Sequence, residues 1–327
     1  MIGVEKYSLR EQEILRYLNS NGEPGLSVGF QSLEGLYSHR STGITDWTGF
    51  PASGKTYFVL ELLITLSEKY GQRHALFVPD LGNYKETWSK IFMMVSGKEF
   101  NARYGNKATE DDIHRHKDWI NHHFIILKRE DIKKPITPVN IWEYVCHYED
   151  SAGIINNCLI DSWKNLYHNL DGRREDLYLD YVLNYRNELA EAHDKHFHTI
   201  AHAAKTEIDE YNVSTDTEGR TKKKRRVPDA NDIKGGGSWF ASGKNIITVD
   251  FPDKKRNSLD IHISKTKPEG VGSVGSVLQR ICLDYNRHRY YEIVDGEKRF
   301  TFTKTPAPLQ PNHNFEKEKI DTDVTPF

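Results

Sequence analysis

Cysteine is scarce in this chain. Its 327 residues hold three, Cys146, Cys158 and Cys282, an odd number without CxxC-type spacing, so neither a disulfide framework nor a zinc site is suggested. That usage fits a reducing cytoplasm, bacterial or that of a host cell if the gene is phage-borne. Long apolar runs are missing too. Nothing approaches the roughly 18 residues a bilayer span requires, and the stretch from Met1 to Arg10 is polar and lacks an apolar signal core. A soluble, unexported chain without a membrane partner is expected. Nor is there an excess of either charge: 45 Lys and Arg stand against 47 Asp and Glu, so net charge favours neither binding to nucleic acid nor repulsion from it. Any basic surface must be local. No internal repeat is visible.

What is present can fill a core, since 37% of the residues are hydrophobic in a chain long enough for one large domain with appendages. Ser8-Leu9-Arg10-Glu11 is a capping-box pattern that predicts a short amphipathic helix closed by Asn21-Gly22. Residues 22–25, with Pro24 inside, then read as a linker. From residue 26 onward, apolar runs of strand length (44–48, 74–78, 124–127, 158–160 and 198–201) alternate with helical patterns (55–69, 84–95, 139–147 and 178–193). That alternation predicts five parallel strands covered by helices on both faces. After residue 244 the strands come closer together, at 245–251, 259–264, 276–284 and 289–293, which predicts an antiparallel extension of the sheet. The expected organisation is a helix and linker over 1–25 that could dock on a neighbouring subunit, a core over 26–304, and a Pro-rich, charged, disordered tail over 305–327.

Gly49-Phe50-Pro51-Ala52-Ser53-Gly54-Lys55-Thr56 matches GxxxxGK[ST] between a predicted strand and a predicted helix, the context this phosphate-binding motif requires. Its glycines let backbone amides wrap phosphates and the helix N-terminus adds partial positive charge. Lys55 is then placed to reach the terminal phosphates of ATP, and the Thr56 hydroxyl to bind Mg2+. Asp161 ends the apolar run at 158–160, where a magnesium-ordering carboxylate belongs. Asp80 emerges after the strand at 74–78, at the edge where open parallel sheets bind ligands, and could orient the attacking water or cap the following helix.

Six blocks then stand in a familiar order: TGFPASGKTYF at 48–58, ALFVPD at 75–80, IDSWKNL at 160–166, IAHAAK at 200–205, DIKGGGSW at 232–239 and SKTK at 264–267. In order and wording they resemble the DnaB/Twinkle-type replicative helicases of the RecA superfamily, over residues 26–293. The stretch before residue 26 is too short for that family's primase or helical collar domain, so the resemblance is to the ATPase core. It implies an α/β, RecA-like P-loop ATPase whose mostly parallel sheet, flanked by helices, carries an antiparallel C-terminal extension. It also implies a hexameric ring that hydrolyses ATP with Mg2+ at subunit interfaces and translocates as a helicase on single-stranded DNA. Alternatives are a RecA-like recombination or strand-binding ATPase that forms filaments, and a nucleotide-switched replication accessory protein.

Residue by residue, Asp80 stands where the family has its water-activating glutamate, and His202 matches the γ-phosphate sensor. Lys265 and Lys267 align with a Lys-x-Arg pair that completes a neighbour's site. Lysine in place of that arginine keeps the charge but loses the planar fork. The run Lys222, Lys223, Lys224, Arg225 and Arg226 lies where such rings turn loops toward their channel, and five cations there suggest contacts to single-stranded DNA. His114, His116, His122 and His123 sit in a polar helical stretch without a Cys or acidic partner set, so surface placement is expected for them and not a metal site. The acidic end tipped by Pro326 and Phe327 resembles the C-terminal peptide of bacterial single-stranded-DNA-binding proteins, which docks on replication proteins.

Overall fold

β-Branched and aromatic residues dominate the segment from Ile44 to Thr48, as suits a buried strand, and in a computed structural model it lies in the middle of a ten-stranded sheet. The structure describes residues 7–19, 25–101, 106–129, 134–203, 213–215, 221–223, 226–253, 257–267 and 272–301. The predicted tail with Pro326 and Phe327, most of the linker, and Lys224 and Arg225 lie outside these residues, as do the side chains of Lys222 and Lys223.

In chain order, helix α1 (Tyr7–Asn19) precedes strand β1 (Gly43–Thr48), helix α2 (Lys55–Tyr70), β2 (His74–Phe77), α3 (Tyr84–Ser96), α4 (Glu110–His123) and β3 (Phe124–Ile126). There follow α5 (Pro138–His147), a small hairpin of β4 (Glu149–Asp150) and β5 (Gly153–Ile154), β6 (Asn157–Asp161), α6 (Glu175–Ala192) and β7 (His196–Ile200). A second small hairpin, β8 (Val213–Thr215) and β9 (Thr221–Lys223), comes before α7 (Gly236–Ser242). The chain then runs through β10 (Asn245–Asp253), β11 (Ser258–Lys265), β12 (Gly275–Asp284), β13 (Arg289–Val294) and β14 (Glu297–Phe300).

The large sheet has the order β3-β2-β6-β7-β1-β10-β11-β12-β13-β14. Pairing is parallel from β3 through β10 and antiparallel from β11 onward. The predicted switch of texture at residue 244 is real, but the direction reverses one strand later. Six parallel strands are present among the described residues, because β10 pairs with β1 in parallel register, Thr45 opposite Asn245 and Thr48 opposite Thr248.

Local chemistry sets the helix ends. Asn83 caps α3 in a capping box with Glu86, Thr109 caps α4 with Asp112, and Thr137 caps α5 with Asn140 while Pro138 occupies the first turn, where its missing N–H costs nothing. Ser8, the predicted cap of α1, lies inside that helix. On one face of the sheet Phe58, Leu62, Ile91 and Trp119 from α2, α3 and α4 pack on Trp47, Leu76 and Ile247. On the other, Trp142 and Val182 from α5 and α6 meet Ile44, Ala75, Ile160 and Phe197.

Two buried ion pairs fix helices to strands. Arg186 of α6 bonds both carboxylate oxygens of Asp46 on β1, at 2.6 and 3.0 Å. Arg289 of β13 grips Glu61 of α2 at 2.6 and 2.7 Å, tying the antiparallel half to the helix behind the phosphate loop. Severing such a pair strands a buried charge and costs about 3–5 kcal/mol.

The histidines of α4 correct the expectation of surface placement. His116 and His123 are buried, their Nδ1 atoms bonded to the carbonyls of Asp112 and Gln72, because α4 turns that face toward Phe92 and Trp119. Among the described residues no helix is long and apolar enough to cross a membrane.

Candidate nucleotide site

Four adjacent strands, β1, β7, β6 and β2, deliver the groups picked out in the sequence to one edge of the sheet, beyond the strands' carboxyl ends. The loop after β1 carries residues 49–54, His202 stands two positions after β7, Asp161 is the last residue of β6, and Asp80 lies in the short turn Pro79–Leu81 after β2. This is where open parallel sheets bind ligands.

The loop is shaped around its glycines. Gly49 has φ 136°, and a Cβ there would meet the Val249 carbonyl oxygen at 2.2 Å, so only glycine fits between β1 and β10. Gly54, at φ 86°, leads into α2 above Leu259 and the Tyr290 hydroxyl. The Lys55 ammonium is buried and donates to the carbonyls of Gly49 at 3.1 Å and Phe50 at 2.7 Å, and to Ser53 Oγ at 3.4 Å. Burial lowers its pKa to about 8, against the opposing pull of Asp161 and Asp80.

Thr56 Oγ1 donates to Asp161 Oδ2 at 2.5 Å. The other oxygen of that carboxylate, Oδ1, is buried and has no hydrogen-bond partner among the described residues, a costly state for an anion. Burial raises the Asp161 pKa to about 6, with the Thr56 bond opposing it and the nearby Asp80 adding to it. A hydroxyl and a half-satisfied buried carboxylate side by side form an oxygen donor set suited to Mg2+, and both stand at the entrance to the glycine cradle.

Asp80 is surrounded by donors. Its Oδ2 accepts from Ser162 Oγ at 2.9 Å and from His202 Nε2 at 3.3 Å, with the Lys164 ammonium 3.9 Å away. Its Oδ1 accepts from the Asn165 amide. Partial burial works to raise its pKa, yet the bonds from Asn165, Ser162 and His202 and the charge of Lys164 hold it below the usual carboxylate range. The two carboxylates are thus pushed in opposite directions, the pattern of a site with divided roles. Asp80 is no helix cap, since Asn83 performs that task for α3. One ligand atom from each of Asp80, Asp161 and His202 lies within 4.8 Å of the others.

Other expected site residues lie elsewhere. Lys265 ends β11 opposite Ile246, near the start of β10 and β1. Val249, which touches Gly49, pairs with Ile261, so Lys265 stands four residues, ~14 Å, along β11 from the level of its own phosphate loop. Its ammonium donates to the carbonyls of Phe240 and Ala241 at the end of α7. Lys267 is exposed and borders a cavity of about 400 Å³ together with Arg40, Gly43 and Asn245, at the opposite end of β1 from the cradle. Arg226 of the basic run is paired with Asp232 and, at 3.6 Å, with Asp229. Lys222 and Lys223 belong to β9 of the second hairpin.

Ser162, Lys164 and Asn165 had no assigned role in the sequence, although polar residues directly after a strand-ending aspartate are a usable signal. The Asp161–Ser162 peptide is cis.

No protein-family profile matches the chain. It is 24% identical over 279 residues to the Twinkle homolog protein, chloroplastic/mitochondrial, of Arabidopsis thaliana, a match that takes in 82% of this chain and 36% of the relative. The chain therefore spans about a third of that protein's length. Among solved structures, a DnaB-like helicase ATPase domain determined by itself superposes with a TM-score of 0.66 at 14% identity, covering 88% of this chain and 99% of that one. A DnaB-like replicative helicase, solved for its interactions with primase, gives 0.64 at 14% identity over 88% of this chain and 67% of that one. The resemblance to DnaB/Twinkle-type proteins is borne out, and the fold is the RecA-like one of those ATPase domains.

Proposed function

We propose that this chain is the motor core of a replicative-type DNA helicase, hydrolysing ATP with Mg2+ at interfaces between identical subunits of a ring and translocating on single-stranded DNA in a reducing cytoplasm. We divide it into a docking helix and linker over 1–25, the ATPase core over 26–304 and a partner-binding tail over 305–327. The observation that carries this reading is the convergence of Lys55, Thr56, Asp161, Asp80 and His202 beyond four adjacent strands, while Lys265 sits at the other end of the sheet.

The roles follow from position. Backbone amides of residues 49–54 and the Lys55 ammonium bind the β- and γ-phosphates. Thr56 and Asp161 are the residues that would hold Mg2+, which when bound neutralises charge developing on the phosphoryl oxygens. Asp80, ionised and backed by His202, orients the attacking water and accepts its proton. His202 links that carboxylate to the γ-phosphate position. Lys265 and Lys267 act on the phosphates held by a neighbour, where a cation stabilises charge that grows only in the transition state. Lys222, Lys223, Lys224, Arg225 and Arg226 contribute phosphate contacts to DNA.

The test mixes two inactive proteins, one with Lys55→Ala and one with Lys265→Ala and Lys267→Ala. ATPase activity should return in part, since some interfaces then pair two intact halves. If the proteins co-assemble and stay inactive, the shared site is wrong. Turnover in Lys55→Ala alone sinks the ATPase. Forked-DNA unwinding and six-fold particles in micrographs separate the ring from a filament or a switch protein.

A further inference from the structure

The donors around Asp80 have a common origin. Ser162, Lys164 and Asn165 all belong to the turn that begins directly after Asp161, so the strand that presents one carboxylate also supplies most of the partners of the other. That turn is well braced. Asn165 N–H donates to the Ser162 carbonyl at 3.0 Å, and the Trp163 ring between them packs on Trp142 of α5, Trp239 of α7 and His168, with centroids at 6.2, 5.1 and 4.7 Å. Ser162 is fully buried. Asp80, by contrast, stands on an exposed three-residue turn with only a short side chain to place its carboxylate. A group on such a turn keeps one orientation only if something outside the turn fixes it.

Resting on the ATPase reading above, we propose that Asn165, assisted by Ser162, is a positioning residue that fixes the Asp80 carboxylate for attack by water. Asn165 holds Oδ1 and Ser162 holds Oδ2, so rotation about the side chain's last bond is locked from both oxygens. His202 and Lys164 also meet Oδ2, but each is placed to be drawn toward a γ-phosphate, whereas an amide and a hydroxyl carry no charge to divert. The anchor therefore persists when nucleotide arrives. It also couples the two ends of the reaction, since Asp161 and the anchor of Asp80 are separated by four residues of one rigid turn.

The test is a kinetic cycle on the full-length protein. Asn165→Leu removes the donor at similar volume and should lower kcat by about 10- to 100-fold, the cost of a slightly misplaced catalytic group, with KM for ATP and nucleotide affinity within about twofold. Asn165→Gln, which keeps an amide donor, should recover part of the loss. In an Asp80→Asn background the leucine substitution should change kcat by less than about twofold, because a residue that acts through Asp80 has nothing left to position. An unchanged kcat in Asn165→Leu overturns the proposal. So does a full, multiplicative loss in the Asp80→Asn background, which would mark Asn165 as a brace of the turn at large. If Lys55→Ala keeps its turnover, the parent reading has failed and this inference falls with it; if only the asparagine variants behave like the parent, the parent reading stands.

Discussion

Strand β7 carries histidines into two clusters that could not differ more in use. His196 and His198, on the strand, join His39 in the buried core, and one ring nitrogen from each lies within 4.8 Å of the others. His202, two residues past the strand, joins Asp80 and Asp161 at the sheet edge with the same spread. In the core trio the protons are already assigned. The Trp47 indole can only donate, so His198 Nδ1 accepts from it and the proton of a neutral ring sits on Nε2. His196 donates from Nδ1 to the Arg40 carbonyl and receives the Thr45 hydroxyl at Nε2. Only His39 keeps a free lone pair, and the trio acts as packing. In the edge cluster an anionic oxygen of Asp161 is left open. Residue type does not separate the two clusters; position along a parallel strand and unspent hydrogen-bonding capacity do.

The sharpest way to break this contrast is to damage each cluster in turn. Asp80→Asn should cut kcat by about 100- to 10,000-fold, the range for loss of a general base, with ATP affinity kept, whereas His39→Phe should leave kcat within about twofold. Steady-state ATPase assays with equilibrium nucleotide binding decide it, and a normal rate for Asp80→Asn would reduce the edge cluster to packing as well.

The core cluster should declare itself through acid. Burial lowers His39, His74, His196 and His198 below their ordinary value, to about 4 for His196. Nearby histidines add to the effect on His39, His74 and His198, and the Arg40 carbonyl opposes it for His196. The unfolded chain therefore takes up protons that the folded core refuses. This stability is whole above about pH 7 and is lost as pH falls from ~6.5 toward the folded values, at up to about 1.4 kcal/mol per pH unit for each ring. Urea unfolding at pH 7.5 and 5.5 should show the drop, and His39→Phe should shrink it by roughly 1 kcal/mol. An unchanged pH slope in that variant would remove His39 from the account.

A smaller effect is expected from the basic hairpin. Neutralising Lys222, Lys223, Lys224 and Arg225 should flatten the salt dependence of single-stranded DNA binding by about 0.7 for each phosphate-bound cation removed. Arg226→Ala should change it less, because that guanidinium is already paired with Asp232 and Asp229. Equal slopes for all variants would take the hairpin away from DNA.

Much of the site was legible because its chemistry is local: GxxxxGK[ST] needs one strand-turn-helix, and a carboxylate ending an apolar strand needs one strand. Strand direction was not, since a period of two reads the same for parallel and antiparallel neighbours, and β10 was assigned to the wrong half. Helix α7 escaped notice because Gly235, Gly236 and Gly237 are poor helix formers. It forms because Trp239 is buried and Lys265 satisfies its last carbonyls. Strand β14, whose residues 297–299 are all exposed, has no apolar alternation to reveal it. The buried histidines of α4 and of β2 and β7 were invisible for a related reason, because a ring with a carbonyl or hydroxyl partner packs like an apolar one.

Among the described residues, β10 is the only strand of the large sheet with a parallel neighbour on one side and an antiparallel neighbour on the other. Gly49 rests against its Val249 carbonyl, and Lys265 closes the adjoining ladder four residues away. A hydrogen-bonded ladder neither stretches nor shortens, so the phosphate loop and the cation at the far end keep a fixed separation. Any shift of the loop must then be taken up by tilting the strand pair as a whole, which makes this seam the strut on which the geometry of a neighbouring site would depend.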